Sequence, residues 1–538
     1  MMILPNSEQM RQIDQCAINE FKIPGIVLME NAGAGTVHLM ERLLGSAANK
    51  HFPIFIGPGN NGGDGLVIAR HLHQGNAVPL LVFLIEPERL KGDSATNLAI
   101  VEKLGLKTLI CSSSSSLHEI SQTIDHLSVT HGPPGALVDS IFGTGLDRSV
   151  EGHFAEAIEL INELSRVRGI PVIAVDTPSG LGSDSGTVLG CCIKAWTTAT
   201  YGYAKVGQVL PDNLPHVGDL NVIDIGIPPE VLGRVQVNIA AIDQHDLFEL
   251  SNSLKRPANS HKGNYGHLLI LGGSPGKTGA ALLAARGAIR SGCGLVSICA
   301  PSGLNLIYES ALAEAMTVVV KSPDYLTIDD RETILEHLAD KTCVVIGPGT
   351  GQQRETAELV LFLYEQLTIP MVIDADALNI LARRKKDIGA PSGPRILTPH
   401  PGEMARLLGV TTKQVQADRR AALQSCYDEF KTPDSELIII LKGSASLTTG
   451  GEMVWLNRTG NPAMAAGGMG DVLSGLVGSF ICQGMKPVDA SRYGVYLHGC
   501  CGDDLQTRTG AGFSASDLAD ELPTVLGNIM RGYDENRA

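Results

Sequence analysis

Aromatic residues make up only 4% of this 538-residue chain, which argues against a nucleic-acid surface built on stacked rings. No run of 18 apolar residues occurs, so nothing reads as a membrane-spanning helix. The opening MMILPNSEQMRQID lacks an apolar core of signal-peptide length behind a basic flank. The 11 cysteines show no CxxC spacing, which removes the usual zinc and thiol-exchange patterns. Their odd count and the vicinal pairs Cys191/Cys192 and Cys500/Cys501 read as reduced, mostly buried thiols. There is neither a long basic block nor an acidic tail, and the formal net charge of -15 is spread along the chain. That disfavours phosphodiester partners, yet small anions remain open to it, because helix N-termini and main-chain amides hold phosphate whatever the overall charge. The expectation is a cytoplasmic protein with small-molecule partners, no nucleic acid and no membrane; a homo-oligomer is compatible with it.

What is present is hydrophobic content of 43% and 61 glycines, enough for at least two cores joined by glycine-rich turns. From His51 to Asp224, FPIFIGPGNNGGDG, VPLLVFLIEP, ALVDSIFGTG, IPVIAVDTPSG and LNVIDIGIP each read as a strand ending in a loop, the pattern of a parallel sheet covered by helices on both faces. Ser7 to Arg42 has helical spacing, and CSSSSSLHE is a polar connector. A second series, GHLLILGGS, GLVSICAP, CVVIGPGTG, PMVIDADAL and PRILTPHPGE, follows a polar stretch around Pro257. A β-rich segment, ELIIILKGSASLTTGGEMVWLN, and three helices from Gly470 to Met530 complete it. The fold class is α/β with two domains, residues 1–230 and 235–538.

Two motifs are discounted. Gly57, Gly59 and Gly62 with Glu86 imitate a dinucleotide fingerprint, but the loop continues with Asn60, Asn61 and Asp64, polar groups that a plain phosphate cradle does not need. GGSPGKT would be a P-loop only with glycine at 271, where Leu271 stands, so Lys277 reads as a solvated surface charge.

The strongest chemical signal is NPAMAAGGMGDVLSG, Asn461 to Gly475. Gly467, Gly468 and Gly470 precede a helical run, so their N–H groups can converge on one anion with help from the helix dipole. Asp471 at the same helix start would be repelled by phosphate unless it removes a proton from an attacking hydroxyl; a plain helix-start charge is the alternative. GPGTG and HPGE each end a strand, on the carboxyl edge where ligands bind, although Pro401 and Glu403 also let His400 read as a helix cap. Lys442, Gly443, Ser444, Ala445 and Ser446 offer an ammonium and amides suited to nucleotide phosphates. DADAL, from Asp374, adds carboxylates that can position Mg²⁺ through water or cap a helix.

GGMGD resembles the anion-hole and base motif of the ribokinase-like superfamily, with Gly467, Gly468 and Met469 as the anion hole. Together, HKGNYGHLLILGGS, GPGTG, DADALN, TPHPGEMARLLG, LKGSAS and NPAMAAGGMGDVLSG resemble the nucleotide-dependent NAD(P)H-hydrate dehydratase family over residues 235–538. The resemblance implies a ribokinase-like αβα sandwich in which ADP or ATP, with Mg²⁺, lies along Lys442 to Ser446 and Gly470. Hydrated nicotinamide then meets Gly349, His400 and Asp471.

In the first half, GNNGGDG, VDSIFGTGL and VDTPSGL lie where strands give way to loops and should converge. Asn61, Asp139 and Ser179 bring hard oxygen ligands, suited to an alkali or alkaline-earth cation and unsuited to zinc, while Asp64 and Asp176 are left as candidate acid and base. These motifs resemble the NAD(P)H-hydrate epimerase family, whose fold is a Rossmann-like αβα sandwich. By that resemblance Asn60, Asn61, Gly62 and Gly63 hold the hydrated nucleotide together with Gly143, Thr144, Gly145 and Leu146. K⁺ sits at Asn61, Asp139 and Ser179, and Asp176 contacts substrate.

The two resemblances imply repair of hydrated NADH and NADPH (NADHX and NADPHX). Hydration leaves a hydroxyl at C6 of the nicotinamide, and phosphorylating it turns a poor leaving group into a good one. A pocket that aligns one C6 epimer misplaces the other, so an epimerase working through an iminium is needed. The competing reading is a ribokinase-like kinase for a vitamin alcohol with a non-catalytic N-terminal module, since phosphorylation alone needs the same base and anion hole.

Overall fold

The computed structural model describes residues 1–534. They form two compact units, one from Ile3 to Asn238 and the other comprising Met1–Met2 and residues from Ile239 onward.

The first unit is a seven-stranded parallel sheet in the order Lys107–Ile110, Val78–Phe83, His51–Ile56, Leu137–Ser140, Val172–Val175, Thr197–Tyr201 and Asp219–Ile223. Side chains alternate across a strand, and the core divides accordingly. Ile54, Ile56, Val138 and Ile173 pack on one side with the helices Ser7–Asn19, Gly25–Leu44 and Asn60–Gln74. Phe55, Leu137, Val172 and Ala174 pack on the other with the helices His118–His131 and His153–Arg168. The result is a Rossmann-like αβα sandwich. Strand order reverses between His51–Ile56 and Leu137–Ser140, so the loops after these two strands flank the crevice where such sheets bind ligands. Two strands carry no apolar run that would give them away: Lys107–Ile110 is a mostly exposed edge, and Thr197–Tyr201 is rich in threonine.

The second unit is built on an eleven-stranded sheet among the described residues. Its parallel centre runs Leu437–Leu441, Arg395–Leu397, Met371–Ile373, Cys343–Ile346, His267–Leu271, Leu295–Pro301 and Met316–Val320, the last a strand not expected from sequence. Leu447–Thr449 and Val454–Leu456 extend it antiparallel to Leu437–Leu441 and to each other, respectively. Leu268, Ile270, Val345, Val372 and Ile438 share a core with the helices Thr278–Arg290, Met469–Cys482 and Pro487–Thr509. The intervening Leu269, Leu271, Val344 and Ile346 are buried as well, as expected for a sheet covered on both faces in a ribokinase-like αβα sandwich. Order reverses between His267–Leu271 and Cys343–Ile346, and the loops beyond them are tied together: Gly273 N–H donates to Pro348 O at 2.8 Å and Ser274 Oγ to Gly349 O at 2.7 Å.

All cysteines are free, and only Cys191, Cys293 and Cys500 are part-exposed. Among the described residues no helix is long and apolar enough to cross a membrane.

Candidate active sites

In the first unit the crevice is a cavity of about 570 Å³, a size ordinary for a small-molecule site. Asn60, Asn61 and Asp64 line it from the helix Asn60–Gln74, Gly143 to Leu146 from the loop after Leu137–Ser140, and Asp176 from the end of Val172–Val175. Gly57 must be glycine, because a Cβ there would lie 1.9 Å from Ile141 O, and this close approach joins the two loops. Gly62 and Gly63, also expected at the site, are instead buried within the helix and do not line the cavity: a Cβ would meet Gly57 O at 2.4 Å in the first and Ser94 Oγ at 2.4 Å in the second.

Asp176 holds φ +61°, a costly conformation for a residue with a side chain, and its N–H is anchored to Ala199 O at 2.8 Å. Its carboxylate accepts from Lys205 Nζ at 2.7 Å and from Thr144 N–H at 3.3 Å. Lys205 Nζ also donates to Thr200 Oγ1 at 2.9 Å and Tyr201 O at 3.1 Å, so all three ammonium protons have acceptors. The Asp64 carboxyl, nearly buried, makes no hydrogen bond or ion pair with another described residue. Burial, then the charges of Asp176 and Asp14, push its carboxyl well above the usual range. Sequence reading did not identify Lys205 or Asp14, single charges outside any motif that tertiary folding alone brings into the cavity.

Asp139 is fully buried and accepts from Ser179 Oγ at 2.6 Å and Ser179 N–H at 2.8 Å. Burial raises its pKa to about 6 despite these donors. Asn61 is 7% exposed, yet neither its amide oxygen nor its nitrogen has a partner. A lone buried carboxylate and an orphaned amide oxygen, with serine oxygen alongside, fit a weakly charged, oxygen-seeking cation such as K⁺.

In the second unit the helix Met469–Cys482 begins at Gly468, whose φ of +90° suits glycine, and where a Cβ would meet Leu283 Cδ1 at 2.5 Å. His498 Nε2 donates to Met469 O at 2.9 Å, bracing this start from behind; burial lowers the His498 pKa to about 4, so the ring is neutral. Gly467, Gly468, Met469 and Gly470 therefore line the start of one helix with Asp471. The Asp471 carboxyl makes no hydrogen bond or ion pair with another described residue. Burial first, and then the negative charge of Asp374, raise it to about 7.

Lys442 reaches the same place: a Cβ on Gly470 would lie 3.1 Å from its Nζ. The ammonium donates to Asp374 Oδ1 at 2.7 Å, and Ser474 Oγ donates to Asp374 Oδ2 at 2.7 Å. Burial disfavours the Asp374 charge, but the Lys442 ammonium together with the Ser474 and Thr398 hydrogen bonds more than offsets it and holds the carboxyl below its usual range. The loop beyond Lys442 is strained at Ala445, φ +50°, and closed by Ser446 Oγ donating to Gly443 O at 2.9 Å, with Ser444 between. Ala375, φ +47°, shows the same strain beside Asp374.

The DADAL carboxylates are already engaged. Asp376 accepts from Lys277 Nζ at 3.1 Å, Gly351 N–H at 3.0 Å and Gln352 Nε2 at 2.6 Å. With Asp374 held by Lys442, neither aspartate is left as a free ligand for Mg²⁺, and no group of three metal-binding side chains occurs among the described residues. Lys277 is correspondingly more than the solvated charge expected: it ties the glycine loop to Asp376. His400 does cap a helix: its Nδ1 accepts from Gly402 N–H at 3.0 Å, and Glu403 Oε2 accepts from His400 N–H at 2.8 Å. With Nδ1 an acceptor, the neutral ring's proton is on Nε2, half-exposed and 3.4 Å from Glu403 Oε1. Gly349 turns with φ +66° in the loop that Ser274 holds.

Residues 268–524 match a family model described as NAD(P)H-hydrate dehydratase, and residues 25–207 one described as YjeF-related protein N-terminus. A protein of Moorella thermoacetica named bifunctional NAD(P)H-hydrate repair enzyme Nnr is 39% identical over 533 residues, spanning 98% of this chain and 97% of its own length. A protein of the same name from Thermofilum pendens is 32% identical over 540 residues, 98% of this chain and 96% of its own. The solved ADP/ATP-dependent NAD(P)H-hydrate dehydratase of Bacillus subtilis, co-crystallized with ATP/Mg²⁺, is 32% identical, covers 53% of this chain and 97% of its own, with a TM-score of 0.45.

Proposed function

From the premise that the chain belongs to the bifunctional NAD(P)H-hydrate repair enzyme family, we propose how its two units divide the chemistry. The enzyme returns hydrated NADH and NADPH to use: the first unit interconverts the R and S epimers at C6, and the second dehydrates the S epimer at the expense of ADP or ATP.

In the second unit, Asp471 takes the proton of the C6 hydroxyl as that oxygen attacks the terminal phosphorus. The amides of Gly467, Gly468 and Met469 bear the developing charge, and Lys442, Gly443 to Ser446 and Gly470 hold the phosphate chain. The ring nitrogen's lone pair then expels phosphate, and loss of the C5 proton restores the double bond. Gly349 and His400 position the nicotinamide, with His400 offering Nε2–H as a donor. Mg²⁺ would enter on the nucleotide's own phosphates, screening their charge, because Asp374 and Asp376 already have partners.

In the first unit, Asn60 and Asn61 with the loop Gly143 to Leu146 hold the hydrated nucleotide over Asp176. Asp64, whose burial beside the Asp176 and Asp14 carboxyls favours its protonated form, protonates the departing hydroxyl. The Asp176 carboxylate faces the resulting iminium and stabilises its positive charge while water returns to C6. Asn61, Asp139 and Ser179 would hold K⁺, which supplies positive charge beside the nucleotide and a fixed geometry for the Asn61 amide.

The observation that carries this reading is Asp471, an unpartnered carboxyl of raised pKa among helix-start amides beside Lys442. Its test is incubation with hydrated NADH and ADP or ATP, following recovery of dihydronicotinamide absorbance with and without Asp471→Asn. Recovery is expected only with the native residue. Accumulation of a phosphorylated alcohol without recovery would instead mark a kinase.

A further inference from the structure

Epimer exchange through an iminium imposes a symmetry that Asp64 and Asp176 do not fully meet. Hydroxide leaves one face of the ring and water returns to the other, so each face needs its own group able both to give and to take a proton. Asp176 is bound to an ammonium and an amide that constrain it. Asp64 leaves one such position to fill.

The helix Ser7–Asn19 brings a third carboxyl into the same cavity. Asp14 is only part-exposed, and it makes no hydrogen bond or ion pair with another described residue. It shares the cavity lining with Asp64 on the helix Asn60–Gln74, Asp93 on Gly92–Lys103, and Asp176, Tyr201 and Lys205 on and beyond the central strands, and feels the charges of Asp64, Asp176 and Lys205; Arg11 lies on its own helix. Asp147 and Arg148 close the list of charges lining the cavity. A surface aspartate of a helix would find solvent or a basic neighbour. This one is turned, without a partner, towards a cavity that also holds the nearly buried and unpartnered Asp64 and the orphaned Asn61 amide.

Resting on the epimerase reading above, we propose that Asp14 is a further catalytic residue, the proton-transfer group for the ring face opposite the one that Asp64 serves. In one direction the C6–O bond breaks as Asp64 gives its proton to the departing oxygen, which leaves as water, and the ring nitrogen's lone pair forms the C6=N bond. Water then adds to the other face, forming a new C6–O bond and giving its proton to the Asp14 carboxylate. In the reverse direction Asp14 is the acid and Asp64 the base, so no outside reagent is consumed; exchange with solvent resets the pair. Burial, opposed by Lys205 and reinforced by Asp176, raises the Asp14 pKa to about 6, close enough to neutrality for the group to serve in either form.

The test uses the full chain and purified R or S NADHX, with interconversion followed by chromatography across a range of pH in ¹⁸O-labelled water. Asp14→Asn is expected to slow interconversion and ¹⁸O incorporation together by about 100-fold, to leave KM within about twofold, and to remove the acid limb of the pH–rate profile. Dehydration of the S epimer by the same preparation should be unchanged. Asp14→Glu should recover much of the rate with a displaced acid limb. Exchange by Asp14→Asn within about threefold of native, or a loss that leaves the pH profile intact, overturns the proposal. Should Asp14→Asn not fold, an unmoved acid limb in Asp14→Glu overturns it. Absence of interconversion by the native protein would instead reject the epimerase reading itself.

Discussion

Both candidate active sites hold a carboxylate–lysine pair of the same length, Asp176–Lys205 and Asp374–Lys442 at 2.7 Å, but they bury opposite ends of it. In the first unit the lysine side chain is 1% exposed and the aspartate 14%; in the second the aspartate is 2% exposed and the lysine 17%. The more accessible end matches the reactant assigned to each site, a carboxylate for a cationic iminium and an ammonium for phosphate. One polar module can therefore serve two chemistries, according to which charge it offers and which it hides. Beside each pair stands a carboxyl without a partner, Asp64 or Asp471, pushed up chiefly by burial.

Separating the activities should break this comparison most sharply. Asp471→Asn is expected to reduce dehydration by roughly 10²–10⁴-fold while epimer exchange persists, and Asp176→Asn should do the converse. Parallel assays of both activities in both variants decide it, and a variant that loses both would undo the division. Next in size is stability. Lys442→Met strands the carboxylate of Asp374, 1% exposed, and should cost about 3–5 kcal/mol in urea unfolding. Lys205→Met, which leaves the more accessible Asp176 open to cavity water, should cost less; equal losses would show that the burial asymmetry has no energetic consequence.

The pH dependence of dehydration follows from Asp471. It acts as a base and must be ionised, and its pKa is raised to about 7. Rate should therefore be maintained above that pH and fall as pH drops through it, approaching about tenfold per unit, which initial rates between pH 5 and 9 would reveal. The smallest effect expected is at Ala445, whose φ of +50° glycine adopts freely. Ala445→Gly should stabilise the second unit by about 0.5–1 kcal/mol, measured as a rise in Tm, with dehydration slowed if the strained loop presents its amides to nucleotide.

Much of the architecture was legible because strands buried on both faces, such as His51–Ile56 and Leu437–Leu441, are nearly continuous apolar runs followed by glycine-rich loops. Lys107–Ile110 escaped because it lies exposed at a sheet edge, and Thr197–Tyr201 because threonines occupy a buried strand. Candidate site residues carried in motifs, Asn61, Asp139, Asp176 and Asp471 among them, were singled out by their company, and the structure puts Asn61 and Asp176 on one cavity and Asp471 at the start of a helix. Lys205 and Asp14 did not: each is one charge in an ordinary segment, and only the path of the chain gives it a neighbour. The partners of the DADAL aspartates were hidden for a related reason, since spacing reveals a carboxylate but not the lysine, Lys442 or Lys277, that pairs with it.

The strand Thr197–Tyr201 holds both members of the first unit's ion pair: Ala199 O receives the Asp176 N–H, and Thr200 Oγ1 and Tyr201 O receive the Lys205 ammonium. It lies one place in from the sheet's outermost strand, Asp219–Ile223. Fraying at that rim would slacken both charges in concert, so epimerase competence should vanish on warming while the interior of the same sheet is still intact, making activity a more sensitive thermometer of the rim than any global melt.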